Sequence, residues 1–336
     1  MVGKRNFKTI QSLLLDNAIL IILFIIIIAV GIARPRFVSV NNITTIATNA
    51  STRFIIALGI SGCLITRGTD LSAGRVVGLG GCIAASLLQR PDASSKLFSW
   101  AGNYPILAVF AVVFLATSLI GLMNGVIIAF FKVPPFIATL GMQQIVYGIS
   151  LMYSKSQPIG ALRQDFSNIA TGNIKIPIIN LGIPYLFIIA MIISGFMWFL
   201  YNKTKHGKYM YAIGGNEAAA EVSGINTAFM KLKIYCLAGF MYGLAGVLLT
   251  ARSGGASTGL GSGYELEAIA ACTIGGVSTT GGVGKVSGIL IGVMVFELLK
   301  SALQFMKVNP NYQYVVQGIV IVVAVAFDIR KYIAKK

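Results

Sequence analysis

Apolar residues occur along this chain in long solid runs that are separated by short polar segments. Solid runs indicate helices, because a half-buried strand or a membrane β-barrel would alternate apolar and polar residues. About 20 apolar residues cross the hydrocarbon core of a bilayer, and several runs approach this length. Ten runs are predicted to be transmembrane helices, at residues 18–33, 54–66, 73–88, 106–131, 136–153, 185–201, 234–251, 266–274, 286–306 and 314–327.

The runs predict an all-α, polytopic integral membrane protein in which residues 1–336 form a single transmembrane domain. Charged residues are only 11% of the chain, whereas soluble proteins carry about 25%. Runs 54–66 and 266–274 are shorter than a bilayer crossing requires. We expect these two helices to be tilted, broken or half-buried.

The charge balance indicates the orientation of the helices. The chain has 27 Lys and Arg residues, 10 Asp and Glu residues and a net charge of +17. A nucleic-acid partner is rejected, since cytoplasmic loops of membrane proteins carry an excess of Lys and Arg. With ten spans, this excess falls on the side that holds both termini, which predicts cytoplasmic termini. Arg67, Arg75 and the 203–233 loop are then cytoplasmic, and the long 154–184 loop is extracytoplasmic.

Metal, cofactor and nucleotide sites are not expected in this chain. His206 is the only histidine, and the four cysteines are scattered through apolar runs without the spacing of a zinc site. The glycine-rich 281–285 stretch fails the phosphate-loop pattern, because Thr279 and Val286 stand where Gly and Ser or Thr are needed. Energy for active transport would come from another subunit or from an ion gradient.

The polar stretch 214–224 lies in the longest hydrophilic gap of the C-terminal half. Its Ala and Glu residues favour a helix, and glycines at both ends let a short helix start and stop. A short helix on a basic cytoplasmic loop suits docking to a soluble partner better than contact with a solute. The residues expected at this surface are Gly214, Gly215, Asn216, Glu217, Ala218, Ala219, Glu221 and Gly224.

Polar residues within or beside the spans are candidates for other roles. Asp70 is placed to cap the helix that follows it, or to pair with Arg67 or Arg75. Glu297 and Lys300, three residues apart on one helix face, are expected to neutralise each other. Solute contacts are expected among polar and aromatic residues, with interhelical hydrogen bonding as the alternative for each: Asn124, Thr139, Gln143, Gln144 and Tyr147.

Glycines spaced by four residues recur within the spans, as in Gly121 with Gly125 and Gly239 with Gly243. Small residues at this spacing let helices approach closely. The pattern predicts close helix packing within one subunit, and a dimer seam is the alternative.

Four motifs, in order along nearly the whole chain, resemble ABC importer permeases of the ribose/galactose/xylose group. The 214–225 stretch resembles their cytoplasmic coupling loop, and 66–75 their Gly-x-Asp-Leu-Ser-x-Gly motif. Residues 135–141 resemble their Pro-Phe-Ile-x-Thr-Leu-Gly, and 263–276 their late signature. The wording of 68–75 is closest to the galactose/methyl-galactoside branch. Motif residues expected to be structural are Asp70, Ser72, Gly74, Glu265 and Glu267.

One spacing departs from the wider ABC permease pattern. The general coupling loop places its glycine four residues after the second alanine, whereas Ala219 and Gly224 are five apart. The longer spacing is similar to that of the monosaccharide branch. Residue roles from other importers are therefore not transferred to this loop.

The resemblance implies a multi-pass permease of the bacterial inner membrane that works by alternating access as a homodimer. A separate ATPase, with two ATP-binding domains on one chain, would dock on 214–224, and an extracytoplasmic sugar-binding protein would deliver the sugar. The chain itself would be no enzyme, and membrane lipid would surround it. Galactose, glucose or methyl galactoside is the expected cargo, with ribose, xylose or a nucleoside as the alternative. A gradient-driven secondary transporter is a more distant alternative, which the scarcity of intramembrane carboxylates opposes.

Overall fold

The computed structural model describes residues 18–176 and 181–333, and most of this part of the chain is helical. One 3₁₀ turn, Pro35–Val38, follows the first helix. A short antiparallel hairpin pairs β1 (Asn173–Ile176) with β2 (Leu181–Pro184). The helices of the described residues are α1 Ala18–Ala33, α2 Val40–Ile65, α3 Ala73–Leu87, α4 Ile106–Ala129, α5 Pro135–Ser154, α6 Gln164–Thr171, α7 Tyr185–Lys203, α8 Lys205–Gly215, α9 Glu217–Val222, α10 Thr227–Ser253, α11 Tyr264–Ile274, α12 Val286–Phe305 and α13 Pro310–Ile333.

Each of the ten predicted runs overlaps one of these helices. Within the described residues, seven helices are long and apolar enough to cross a membrane, namely α2, α4, α5, α7, α10, α12 and α13. Helices α1 and α3 are apolar but shorter, and α11 has only 11 residues. The polytopic all-α architecture is therefore confirmed, and the short run 266–274 is a short buried helix.

The second helix was predicted to start too late. Helix α2 begins at Val40, with Ser39 as its N-cap accepting a hydrogen bond from the Asn42 backbone N–H. Its first turns are rich in Asn and Thr, which hid them from a search for apolar runs. Hydroxyl groups there donate to backbone carbonyls one turn earlier, as Thr48 does to Thr44 at 2.7 Å, and so are satisfied within the helix.

Helices α2 and α10 form the centre of the bundle, and both are mostly buried. Helix α10 packs against α2, α3 and α4. Glycines make the contact between α4 and α10 possible, because a Cβ at Gly121 would strike the Tyr235 carbonyl and a Cβ at Gly239 the Thr117 carbonyl. The glycine spacing therefore serves packing within one subunit at these positions.

The two ends of the bundle carry different loops. At one end, the Gly282 N–H donates to the Ile65 carbonyl at 2.8 Å, and Gly214 of α8 packs against both residues. At the other end, Ile159 pairs with Ala256, and the Arg163 N–H donates to the Leu88 carbonyl. The 203–233 and 154–184 loops therefore lie at opposite ends, as the charge pattern predicts.

Candidate functional site: a coupling surface and two inward-folded segments

The predicted short helix exists as α9. The Asn216 side chain caps it by accepting a hydrogen bond from the Ala219 N–H at 3.1 Å, a common N-cap arrangement. Gly214 and Gly215 differ from the prediction, since they form the last turn of α8 and do not open α9. Asn216 alone separates the two helices, so α8 and α9 form a sharp elbow.

The outer side of this elbow is open to solvent. Val222 is 91% exposed, and Ala218, Ala219 and Glu221 are also exposed, whereas Ala220 is buried. Gly224 ends the elbow with a φ of 84°, a left-handed conformation that glycine adopts without strain. Because an added Cβ there would touch nothing, the backbone conformation is what requires glycine.

The carboxylates of the elbow bind the neighbouring helix α10. Glu217 accepts from the Lys231 ammonium at 2.6 and 2.7 Å, and Glu221 accepts from the Thr227 hydroxyl at 2.5 Å. These bonds fix α9 against the first turns of α10. Glu217 and Glu221 therefore position the surface, and Val222 with the exposed alanines forms its outermost part.

Arg67 ties the elbow to the end of α2. Its Nε donates to the Gly214 carbonyl at 2.8 Å and its Nη2 to the Gly215 carbonyl at 2.5 Å. Gly214 packs directly on the Ile65 and Gly282 backbones, where no side chain fits. The elbow is therefore joined directly to the segment that follows Ile65.

That segment, residues 66–72, folds back into the bundle between α2 and α3. Asp70 is fully buried within it. The Asp70 Oδ1 accepts from the Ser72 N–H at 3.0 Å and the Ser72 hydroxyl at 2.6 Å, and Oδ2 accepts from the Tyr242 hydroxyl at 3.1 Å. All of these contacts are hydrogen bonds to neutral donors.

The predicted roles of Asp70 are therefore wrong in detail. The N-cap residue of α3 is Ser72, not Asp70. No ion pair joins Asp70 to Arg67 or Arg75 among the described residues, because both arginines turn to backbone carbonyls instead. Asp70 serves to hold the 66–72 segment on α10.

Two residues predicted to contact solute instead support this segment. The Thr139 hydroxyl accepts from the Leu71 N–H at 3.1 Å, and its single proton is within reach of the Pro135 carbonyl at 2.9 Å and the Thr69 carbonyl at 3.1 Å. The Asn124 Nδ2 donates to the Ser72 hydroxyl at 3.0 Å. Asn124 and Thr139 are both fully buried, so in this conformation neither is open to a route, and both make hydrogen bonds within the bundle, as the alternative interpretation predicts.

A second inward-folded segment, residues 254–263, connects α10 to α11. It enters from the opposite end and packs on α3, where Gly74 lies against Gly261 and the Glu265 carboxylate. Any side chain at Gly74 would collide with these groups. Glu265 is only 6% exposed, and among the described residues no donor reaches its Oε2. Glu265 therefore differs from Asp70 in having an unfilled acceptor.

Arg75 links α3, α5 and this second segment. Its Nη1 donates to the Thr258 carbonyl at 3.0 Å, and its guanidinium lies 4.1 Å from the centre of the Tyr147 ring. Arg75 is thus inside the bundle, and its assignment to the cytoplasmic loop is wrong. Tyr147 and Gln143 are half-buried and Gln144 is exposed, so these three predicted contacts remain available to a solute.

The pair predicted between Glu297 and Lys300 is part of a larger ionic cluster. The Lys300 Nζ is 3.8 Å from Glu297 but 2.8 Å from Glu267 on α11. The Arg53 Nε on α2 is 2.8 Å from Glu267 and 2.7 Å from Glu297. Arg53 therefore neutralises two acids on other helices, and Glu267 joins three helices.

A cleft of about 500 Å³ lies beside the elbow, between α9, α10 and the α4–α5 turn. Arg67, Lys132 and Lys231 line it together with Glu217 and Glu221. Its position places charged side chains at the joint between the elbow and the 66–72 segment.

No cluster of His, Cys, Asp and Glu suited to a metal ion occurs among the described residues. His206 lies in α8, where burial and the nearby Lys233 lower its pKa to about 4. It is therefore a neutral structural residue at neutral pH.

Comparison with known proteins identifies the type of protein to which this site belongs. Residues 42–325 match a family model described as the permease component of branched-chain amino acid transport systems. The chain belongs to this permease family. It is a multi-pass subunit of the inner membrane and no enzyme. No solved structure matches it.

The chain is also similar throughout its length to named permeases. It is 43% identical over 334 residues to the galactose/methyl galactoside import permease protein MglC of Escherichia coli, covering 98% of this chain and 99% of that protein. Identity to the MglC of Haemophilus influenzae is 43%, covering 97% of both chains. Identity to the ribose import permease protein RbsC of Haemophilus influenzae is 38%, covering 96% of this chain and 95% of that one.

Proposed function

We propose that this chain is the membrane subunit of an ATP-driven importer of galactose or methyl galactoside, working as a homodimer by alternating access. The elbow of α8 and α9 carries this proposal. Its exposed tip at Val222 is available to a soluble ATPase, and Arg67 joins its backbone to the 66–72 segment inside the bundle. ATP binding and hydrolysis on the partner would move this connection.

The choice of galactose is supported by the comparisons, since relatives named for galactose and methyl galactoside are 43% identical and the ribose relative 38%. Ribose remains the second candidate within the same mechanism. A separate ATPase carrying two ATP-binding domains on one chain would supply the energy, and an extracytoplasmic binding protein would deliver the sugar.

The test is uptake by vesicles that contain this chain together with its ATPase and its sugar-binding protein. We expect ATP-dependent accumulation of labelled galactose, and competition by unlabelled ribose measures the alternative. Uptake that needs no ATP and collapses with an uncoupler would replace the proposal with a secondary transporter.

A Val222→Arg variant tests the docking surface. We expect insertion into the membrane to be normal and galactose uptake with stimulated ATPase activity to fall about tenfold or more, because a charge at the centre of a docked contact disrupts it. The matched control is Ser94→Arg, which places the same charge on an exposed loop at the opposite end. If uptake and stimulated ATPase activity are equal in the two variants, the ATPase does not dock on the elbow.

A further inference from the structure

One face of the protomer exposes irregular backbone deep inside the membrane-spanning part of the bundle. Arg75 lies 12 residues before Leu87, the outer end of α3, which is about 18 Å of helix in a hydrocarbon core about 30 Å thick. The Thr258 carbonyl accepts a hydrogen bond from Arg75, so the 254–263 segment reaches the same depth. Gly259 and Ser262 of this segment are exposed.

Contact of such a face with lipid is energetically unfavourable. Backbone outside helices is tolerated at membrane depth only where it is buried in protein or lines a water-filled cavity. Half-buried Arg75 adds a charge with no carboxylate within 4 Å among the described residues. Charged groups at this depth face the bundle interior or water.

Helix α5 continues the same polar face. Gln143, Gln144 and Tyr147 lie within one helical turn, so their side chains share a side of α5. Gln144 is exposed and Gln143 is half-buried, so both residues are accessible at the surface of the protomer. Amides, an aromatic ring and a guanidinium with unused N–H donors form a surface that suits the hydroxyl groups and apolar faces of a sugar.

Another face of the protomer provides a contrast at similar depth. Leu119 of α4 lies 13 residues after Ile106, about 20 Å along the helix, and is 53% exposed. Leu115 and Met123, one turn to either side, are also exposed and apolar. This face is suited to lipid, so exposure alone does not mark a route.

We propose that the face carrying Arg75, Gln144, Tyr147 and Ser262 lines the water-filled sugar route, and that the Arg75–Tyr147 pair contacts the sugar. The identity of the solute rests on the proposed function, whereas the exposure of this face to water does not depend on it. The guanidinium keeps N–H donors beyond the one bound to Thr258, and these donate to sugar hydroxyls. The Tyr147 side chain packs on the apolar face of the sugar ring.

Cysteine labelling in membranes that contain the complete transporter tests the route. Single Gln144→Cys, Ser262→Cys and Leu119→Cys variants are made after replacing the native Cys63, Cys82, Cys236 and Cys272 with Ala and confirming uptake. A membrane-impermeant thiol reagent should modify positions 144 and 262 at least about tenfold faster than 119, because thiolates form in water. Equal resistance at all three positions would show that the face is packed against lipid or protein and would overturn the proposal.

Two readings test the sugar contact. Galactose should protect Gln144→Cys from the reagent, and Arg75→Gln and Tyr147→Leu should raise the KM for uptake several-fold while insertion is normal. Unchanged KM in both variants, or no protection while wild-type galactose uptake is intact, would overturn the contact. Failure of the proposed function is seen separately, as a wild-type complex without ATP-driven galactose uptake, while labelling at 144 and 262 still reports the route.

Discussion

The two inward-folded segments follow similar paths into the bundle. They differ in the hydrogen bonding of the buried acids associated with them, Asp70 and Glu265. Each segment leaves a long helix, runs without helical structure into the bundle, and leads into a short helix, in one case from α2 to α3 and in the other from α10 to α11. Asp70 in the first accepts three hydrogen bonds, whereas the Oε2 of Glu265, in the first turn of α11 directly after the second, accepts none among the described residues. Burial alone therefore does not distinguish an acid that holds a structure from one that has an unfilled acceptor.

The two segments also differ in their contacts. The first is bonded through Arg67 to the elbow of α8 and α9 and is supported by Thr139 and Asn124. The second leaves Gly259 and Ser262 exposed beside Arg75. We infer that the first transmits movement from the ATPase and that the second lines the route.

The largest expected effect is on folding, from Asp70→Ala. This change leaves the Ser72 N–H, the Ser72 hydroxyl and the Tyr242 hydroxyl without their acceptor, and each unmet buried group costs about 1–3 kcal/mol. We expect a large fall in the melting temperature of the purified protein and in its level in the membrane. Asp92→Ala, which removes an exposed acid in an outer loop, is the control. An unchanged melting temperature in Asp70→Ala would show that the hydrogen bonds of Asp70 do not hold the segment.

The second-largest effect is expected from Arg67→Gln, on the coupling of ATP hydrolysis to transport. Loss of the guanidinium removes the bonds to the Gly214 and Gly215 carbonyls, and bonds from charged donors contribute about 1.5–3 kcal/mol. We expect ATPase stimulation by loaded binding protein to fall several-fold while the chain still inserts.

Arg90→Gln is the matched control for Arg67→Gln, since Arg90 is more than half exposed at the opposite end and pairs only loosely with Asp92. If the two variants couple equally well, the first segment does not transmit movement.

A smaller effect concerns the pH dependence of stability. The contribution of His206 to it must be known before the stabilities of Asp70 and Glu265 variants are compared at different pH values. The folded pKa of His206 is lowered to about 4 from an ordinary 6.5, so protonation favours the unfolded chain. Stability from this residue is complete above about pH 6.5 and declines as the pH falls towards 4. Because the ring is partly exposed, we expect a loss below about 1 kcal/mol.

The melting temperature measured at pH 7 and pH 5 in the wild type and in His206→Gln checks this expectation. The wild type should lose slightly more stability than the variant on acidification. The reverse order would show that the imidazolium is stabilised in the folded protein.

The smallest effect on stability is expected from Glu265→Gln. No donor on Oε2 is lost, and the cost of burying a carboxylate there is avoided, so we expect the melting temperature to stay the same or rise slightly. Asp70→Asn, the same chemical change in the first segment, should lower it. Equal losses in the two variants would mean that Glu265 has a structural partner, and the contrast between the segments would disappear.

The sequence identifies the helices well because membrane spans need long apolar runs, and all ten predicted runs lie on helices. It places the start of α2 too late because the first turns are polar: Thr45 and Thr48 donate to carbonyls of the same helix, whereas Asn42 bonds to Phe37 and Ser301 outside it. Helix α9 is predicted from residues that are adjacent in the chain, whose helix propensity and capping are local properties.

The connections between distant segments could not be predicted in the same way. Arg67 contacts a carbonyl 147 positions away, and Arg53 contacts an acid 214 positions away. No periodicity relates such residues, so their pairing depends on how the helices pack. Asn124 and Thr139 were assigned to a route because polarity inside a span does not show which side of the helix faces a neighbour.

The cluster of Arg53, Glu267, Glu297 and Lys300 has a consequence for biosynthesis. Arg53 leaves the ribosome long before its acidic partners on α11 and α12 have been made. Until then its charge has no counterion within the cluster, and an unpaired charge in lipid is costly. A chain that stops short of α11 would thus leave Arg53 without either of its carboxylate partners, so stable insertion of α2 depends on helices that are made much later.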